Sequence, residues 1–262
     1  MAGRAIAFAA SVLFAAGVCL GTRCQAGELP FGDCARPRAG TDLSSCDLSH
    51  RKLAGIDLSG ARLAGAKLDN ADLRKAKLMR ADFQGAIAKW VNSSAAYLSA
   101  ADLRRADLFH ATYDEAVLGD ARLMDANLFG ANLIGSRAAR ADFSGAYLKD
   151  VLMEGIDLSG GSIRGCYAFR GVFTDAKLMG ADLSGADLTG AAMEQVDFGG
   201  ARLVGAKLLG ATLRQTRYAR ADLEGADFAN ADVWAADFSG ALNRPQSADD
   251  ALIEPFVVRE RR

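Results

Sequence analysis

Every fifth residue from Leu43 to Phe238 is large and apolar, and the phase holds over 40 positions. Leu takes 24 of them and Phe 6, with Tyr, Met, Ile and Val filling 6 more; only Ala88, Ser93, Ala138 and Ala168 depart. Two residues earlier runs a column, Thr41 to Ala236, that is Ala at 27 of 40 positions; two residues later Gly fills 18 of 40. On an α-helix five residues advance about 500°, so the large side chains would spiral round every face. Glycine inside those helices would cost about 1 kcal/mol at each position. A flat strand fails too, because five is odd and side chains alternate. The large and small columns are two apart, so they share one face of a short extended piece. The remaining three-residue step must turn a corner, where glycine accepts positive φ. Short strands joined by repeated corners make a solenoid.

Charge sets the length of each coil. The residue just before each large apolar one runs from Asp42 to Asp237. At a spacing of 20, charged pairs in that column are opposite in 16 cases and alike in one, Asp82 with Asp102; at 15 they are opposite in 6 and alike in 9. Stacked coils lie about 4.8 Å apart, where opposite charges help and like charges repel. The run Arg137, Asp157, Lys177, Asp197, Arg217, Asp237 shows the alternation. Twenty residues are four pentads, which predicts an all-β solenoid of square section, about ten coils and roughly 48 Å long. Ala88, Ala138 and Ala168 adjoin Phe83, Phe143 and Phe173, so a larger ring beside a smaller methyl keeps the core at native density. Cys166 falls in the small column and reads as a buried thiol.

Outside the repeat, Arg4, the apolar run Ile6–Leu20 and the small-residue site Cys24-Gln25-Ala26 read as a secretory signal over 1–26, cleaved before Gly27. The alternatives are a buried first helix or an uncleaved membrane anchor, although the run is shorter than the roughly 20 residues a span needs. Cleavage leaves Cys34, Cys46 and Cys166, and shifts the formal charge from −1 to −3 by removing Arg4 and Arg23. An oxidising compartment permits a Cys34–Cys46 disulfide. Residues 27–40 are expected to cap the first coil. Residues 241–262 form a C-terminal cap or tail, in which Ser247 is expected to N-cap a helix from Ala248 to about Glu254. Leu252, Ile253, Phe256 and Val257 would then cover the last coil.

Stretches such as Ala71-Asp72-Leu73, Ala101-Asp102-Leu103, Ala181-Asp182-Leu183-Ser184-Gly185 and Ala221-Asp222-Leu223-Glu224-Gly225 resemble the pentapeptide repeat family, over residues 41–240. The resemblance implies a right-handed quadrilateral β-helix. The chain departs from the pattern at 87–94, where a distorted coil or a protruding loop carrying Trp90 is expected.

Nothing in the chain reads as an enzyme. His50 and His110 share a column three coils apart, and there is no phosphate loop, G-x-S-x-G or Cys-x-x-Cys. No cofactor or metal site is expected, and the near-neutral charge opposes nucleic-acid binding. On 20-residue coils, Phe109, Phe129 and Phe169 form one outward column with Tyr147 and Tyr167 beside it, extended by Leu209. Exposed aromatics gathered on one side suggest a site for a protein partner; the alternative is that they only stack on one another. On another side Leu152, Val172 and Ala192 replace charges, which suits a homodimer. The expected function is therefore an extracytoplasmic, periplasmic or secreted, binding or scaffolding rod without catalysis. Two alternatives remain. Some members of the resembling family mimic DNA to protect a type II topoisomerase, an idea opposed here by the signal and the alternating charges. The other is a membrane-held organiser, should the signal stay uncleaved.

Overall fold

The computed structural model describes residues 29–251; the expected signal segment and Leu252, Ile253, Phe256 and Val257 lie outside them. Parallel bridges join residues 20 apart without interruption, from Asp42 with Arg62 to Asp222 with Leu242. The chain therefore winds as a four-sided β-helix, one pentad per side. The sides are numbered by the pentads of Leu43, Leu48, Leu53 and Leu58 and their successors at intervals of 20.

One pentad explains the rest. The Leu63 N–H donates to the Asp82 carbonyl (2.6 Å) and the Arg62 N–H to the Thr41 carbonyl (2.9 Å), tying the coil to both neighbours. Gly65 N–H reaches Gln84 O (2.9 Å), and Ala66 N–H closes the corner onto Leu63 O (3.0 Å). The fifth N–H, just after the large residue, has no backbone partner. An Asp or Asn two residues earlier accepts it in 18 of the 19 pentads that carry one, as in Ser59 N–H to Asp57 Oδ1 at 3.0 Å. That is why the outward column is rich in Asp: a carboxylate there completes the corner as an Asx turn. The Ser44 and Ser59 N–H groups draw Asp42 and Asp57 below the usual carboxylate range, and the side chains of Ser49 and Ser239, followed by their N–H groups, do the same for Asp47 and Asp237.

This job limits the charge ladder. Among the opposite-charge pairs 20 apart in that column, Arg62–Asp42 (3.0 Å), Arg122–Asp102 (3.5 Å), Arg217–Asp197 (3.6 Å) and Lys207–Asp187 (3.8 Å) close to ion-pair distance. The like pair Asp82 and Asp102 is tolerated because Arg104, Arg122 and Gln84 all reach Asp102. Burial alone would raise Asp102, and these bonds outweigh it and hold it low.

The axis is dry. Leu, Phe and Ala of the two inward columns pack in one continuous cluster, including Ala88, Ala138 and Ala168. Residues 87–94 correct the expected distortion: Ile87 and Asn92 are bridged to both neighbouring coils, and Ala88 and Ser93 are buried. Phe83 and Tyr113 on adjoining pentads are buried beside them, so volume missing at one position is supplied at the next. On the fourth side the interior holds an aromatic stack, Phe198 on Tyr218 (5.0 Å) and Tyr218 on Phe238 (4.5 Å), with Phe228 edge-on.

The ends differ in construction. At the N-terminus Phe31 pairs with Asp42 in place of a preceding coil, Cys34 is bonded to Cys46 (Cα–Cα 5.4 Å), and Arg51 donates to the Cys34 and Ala35 carbonyls. At the C-terminus helix α1 spans Gln246–Asp249 and follows Pro245 with no side-chain cap. Ser247 lies inside it rather than capping it. Its hydroxyl accepts the Phe228 N–H (3.1 Å) and donates to Ala226 O (3.3 Å), the two groups that residue 247 of a further coil would have paired through its backbone. One side chain thus closes an open strand edge.

Candidate interaction surface

The corners position what the rod displays. At 21 corners a residue other than glycine takes positive φ, including His50, Trp90, His110, Asp150 and Arg170. Such residues stack from coil to coil, as Arg140 on Asp120 (2.6 Å) and Arg170 on Asp150 (2.8 Å) show.

On the second side and its corner the chain builds an external ring ladder. Phe109 stacks on Phe129 (5.3 Å), Phe129 on Tyr147 (6.1 Å), Tyr147 on Tyr167 (5.4 Å) and Tyr167 on Phe169 (6.1 Å). Tyr147 and Tyr167 remain 41% and 38% exposed; Phe109, Phe129 and Phe169 are half-buried. Lys149 sits over the Phe129 ring (5.7 Å) and Arg170 over Phe169 (5.4 Å), as cations over aromatic faces.

The structure thus brings together five of the six residues expected there. Leu209 is exposed but stands two coils beyond Phe169, with Thr189 between, outside the stack. Two members had not been expected. Trp90, 53% exposed, lies flat on His110 (4.3 Å), and both meet Phe109 edge-on. A Cβ on Gly130 would strike the His110 ring, so that glycine makes room for the cluster. The available signal was the corner column, where residues 90 and 110 are one coil apart. His50 lies two coils from Trp90 in the same column and takes no part.

Parallel stacking occupies the ring faces with one another. The ring edges and the tyrosine hydroxyls are what the surface leaves accessible, an amphipathic strip rather than a set of open ring faces. Elsewhere, burial pushes the Cys166 thiol up to about 12, reinforced by Asp187, so it stays protonated and inert. Among the described residues no group of three His, Cys, Asp or Glu is placed to hold a metal ion.

The family model for pentapeptide repeats matches residues 41–78, 76–112, 121–160, 172–210 and 206–242, in 8 copies. The chain belongs to the pentapeptide repeat family. Among solved structures it is similar to HetL, a pentapeptide repeat protein involved in heterocyst differentiation regulation in the cyanobacterium Nostoc. Identity is 31%, over 75% of this chain and 91% of that one, with a TM-score of 0.47. It is also similar to QnrB1, a plasmid-mediated fluoroquinolone resistance protein, at 19% identity over 69% of this chain and 86% of that one, TM-score 0.38. A third is a pentapeptide repeat protein of the Arabidopsis thaliana thylakoid lumen, at 28% identity over 48% of this chain and 75% of that one, TM-score 0.19. No curated protein matches.

Proposed function

We propose that the mature chain, after loss of residues 1–26, is an extracytoplasmic, non-catalytic scaffold. In this reading it is a right-handed rod of about ten coils, and its ring ladder engages a protein partner. The observation that carries the reading is the unbroken run of half-exposed rings from Trp90 to Phe169. A rod needs no such run for its own core, which is already a continuous apolar cluster. The Cys34–Cys46 bond supports an oxidising compartment. A DNA-mimicking surface would need sustained negative potential, whereas the outward columns here mix acids with bases.

The double variant Phe129→Ser, Tyr147→Ser is expected to keep the circular dichroism of the native rod while losing co-purification with its partner from the native source. Unchanged association would end the proposal. Sequencing the N-terminus of the purified protein should begin at Gly27; Met1 would favour the membrane-held alternative.

A further inference from the structure

On the third side the outward column is uncharged through seven successive coils, Asn92, Thr112, Asn132, Leu152, Val172, Ala192 and Thr212. On each of the other three sides charged residues interrupt the same stretch. The strip is open among the described residues, with Leu152 38% exposed. Sheet faces of this kind pack against each other. We propose that a second copy of this chain covers it, antiparallel, about a two-fold axis that crosses both rods midway between the coils of Leu152 and Val172.

Charge complementarity argues for this occupant and this register. Each column contributes one residue per coil, so the position of the axis decides every opposing pair. With the axis so placed, Leu152 meets Val172 of the second copy, and Asn132 meets Ala192. Asp114 meets Arg214, and at the corner shared with the second side Asp150 meets Arg170, Lys149 meets Phe169 and Phe109 meets Leu209. No like charges oppose. Centring instead on Leu152 sets Glu154 against itself and Asp114 against Glu194. Centring on Val172 sets Arg170 against itself and Glu154 against Glu194. Like charges opposed in this way disfavour both alternatives.

The footprint from Asp114 to Arg214 is six coils, about 29 Å, by one side at most about 16 Å wide. That is roughly 460 Å² per copy, under the ~800 Å² of a tight complex, so the dimer dissociates on dilution. Because the axis crosses the rods, both ring ladders lie on one side of the dimer, with Phe109 and Phe169 at the edge of the contact and Tyr147 and Tyr167 outside it. The contact itself stands whether or not the ladder binds a partner.

Sedimentation of the purified full chain from micromolar to millimolar concentration tests it. The native chain should pass from monomer to dimer, and Leu152→Glu should stay monomeric with native circular dichroism. Arg214 also pairs with Asp232 within the chain (2.6 Å), so Arg214→Asp alone is compared with the double variant Asp114→Arg, Arg214→Asp. The single change should weaken the dimer roughly tenfold or more, and the double should recover it, since each copy again offers the reciprocal pair. A native chain monomeric throughout, a dimer indifferent to Leu152→Glu, or the absence of rescue would overturn the proposal.

Discussion

The molecule carries two aromatic stacks built on the same 20-residue ladder, one inside and one outside. Phe198, Tyr218 and Phe238 run along the interior of the fourth side, with Phe198 and Tyr218 fully buried. Phe109, Phe129, Tyr147, Tyr167 and Phe169 run along the surface of the second side, half-exposed. Coil stacking alone brings like residues into register, so ring stacking in itself says nothing about function. The surroundings do. The interior rings fill volume that the core requires, and the Tyr218 hydroxyl is buried with no well-formed hydrogen bond among the described residues. The exterior rings fill nothing and keep their hydroxyls available.

The contrast predicts unequal costs. Phe198→Ala empties a fully enclosed site and should lose about 3–5 kcal/mol in denaturant unfolding. An equally large loss for Phe129→Ala would erase the distinction. At the C-terminal end Ser247→Ala leaves the Phe228 N–H and the Ala226 carbonyl without their partner and should cost about 1–3 kcal/mol. Neutrality there would mean that water serves the edge equally well. Tyr218→Phe removes a buried hydroxyl that makes no well-formed hydrogen bond among the described residues and should be neutral or stabilising by about 1 kcal/mol, whereas Tyr167→Phe on the outside should leave stability unchanged. A marked loss for Tyr218→Phe would show that the interior hydroxyl is bonded after all.

The smallest effect belongs to the corners. Asp42, Asp57 and Asp237 titrate below their ordinary values because they accept hydrogen bonds from the folded chain. Protons therefore bind the unfolded chain first. Their contribution is whole above about pH 4 and is lost as pH falls through the depressed folded values. Melting temperature should be flat at neutral pH and decline in acid; a rise in acid would contradict the Asx role.

Much of this was legible in the chain. The period of five, the coil of 20 and the dry axis follow from three columns, because a repeated backbone leaves inward positions little freedom. The ring column at Phe109, Phe129 and Phe169 was legible for the same reason. The work of the Asp column was not: alternation suggested ion pairs, whereas the leftover N–H two residues on is visible only once the corner's bonds are traced. Trp90 was misjudged because its pentad lacks a large inward residue, although Phe83 and Tyr113 supply bulk nearby. Ser247 has cap chemistry in either reading, and only the docking of α1 decides which backbone it serves.

Photo-crosslinking tests the central claim most directly. A photoreactive residue is placed at Tyr147 on the ring ladder or at Lys177 on the opposite side, and the protein is irradiated in its native source. The account predicts a single adduct at position 147, of a mass other than twice the chain, and none at 177. Equal adducts at both positions, or none at 147, would contradict it.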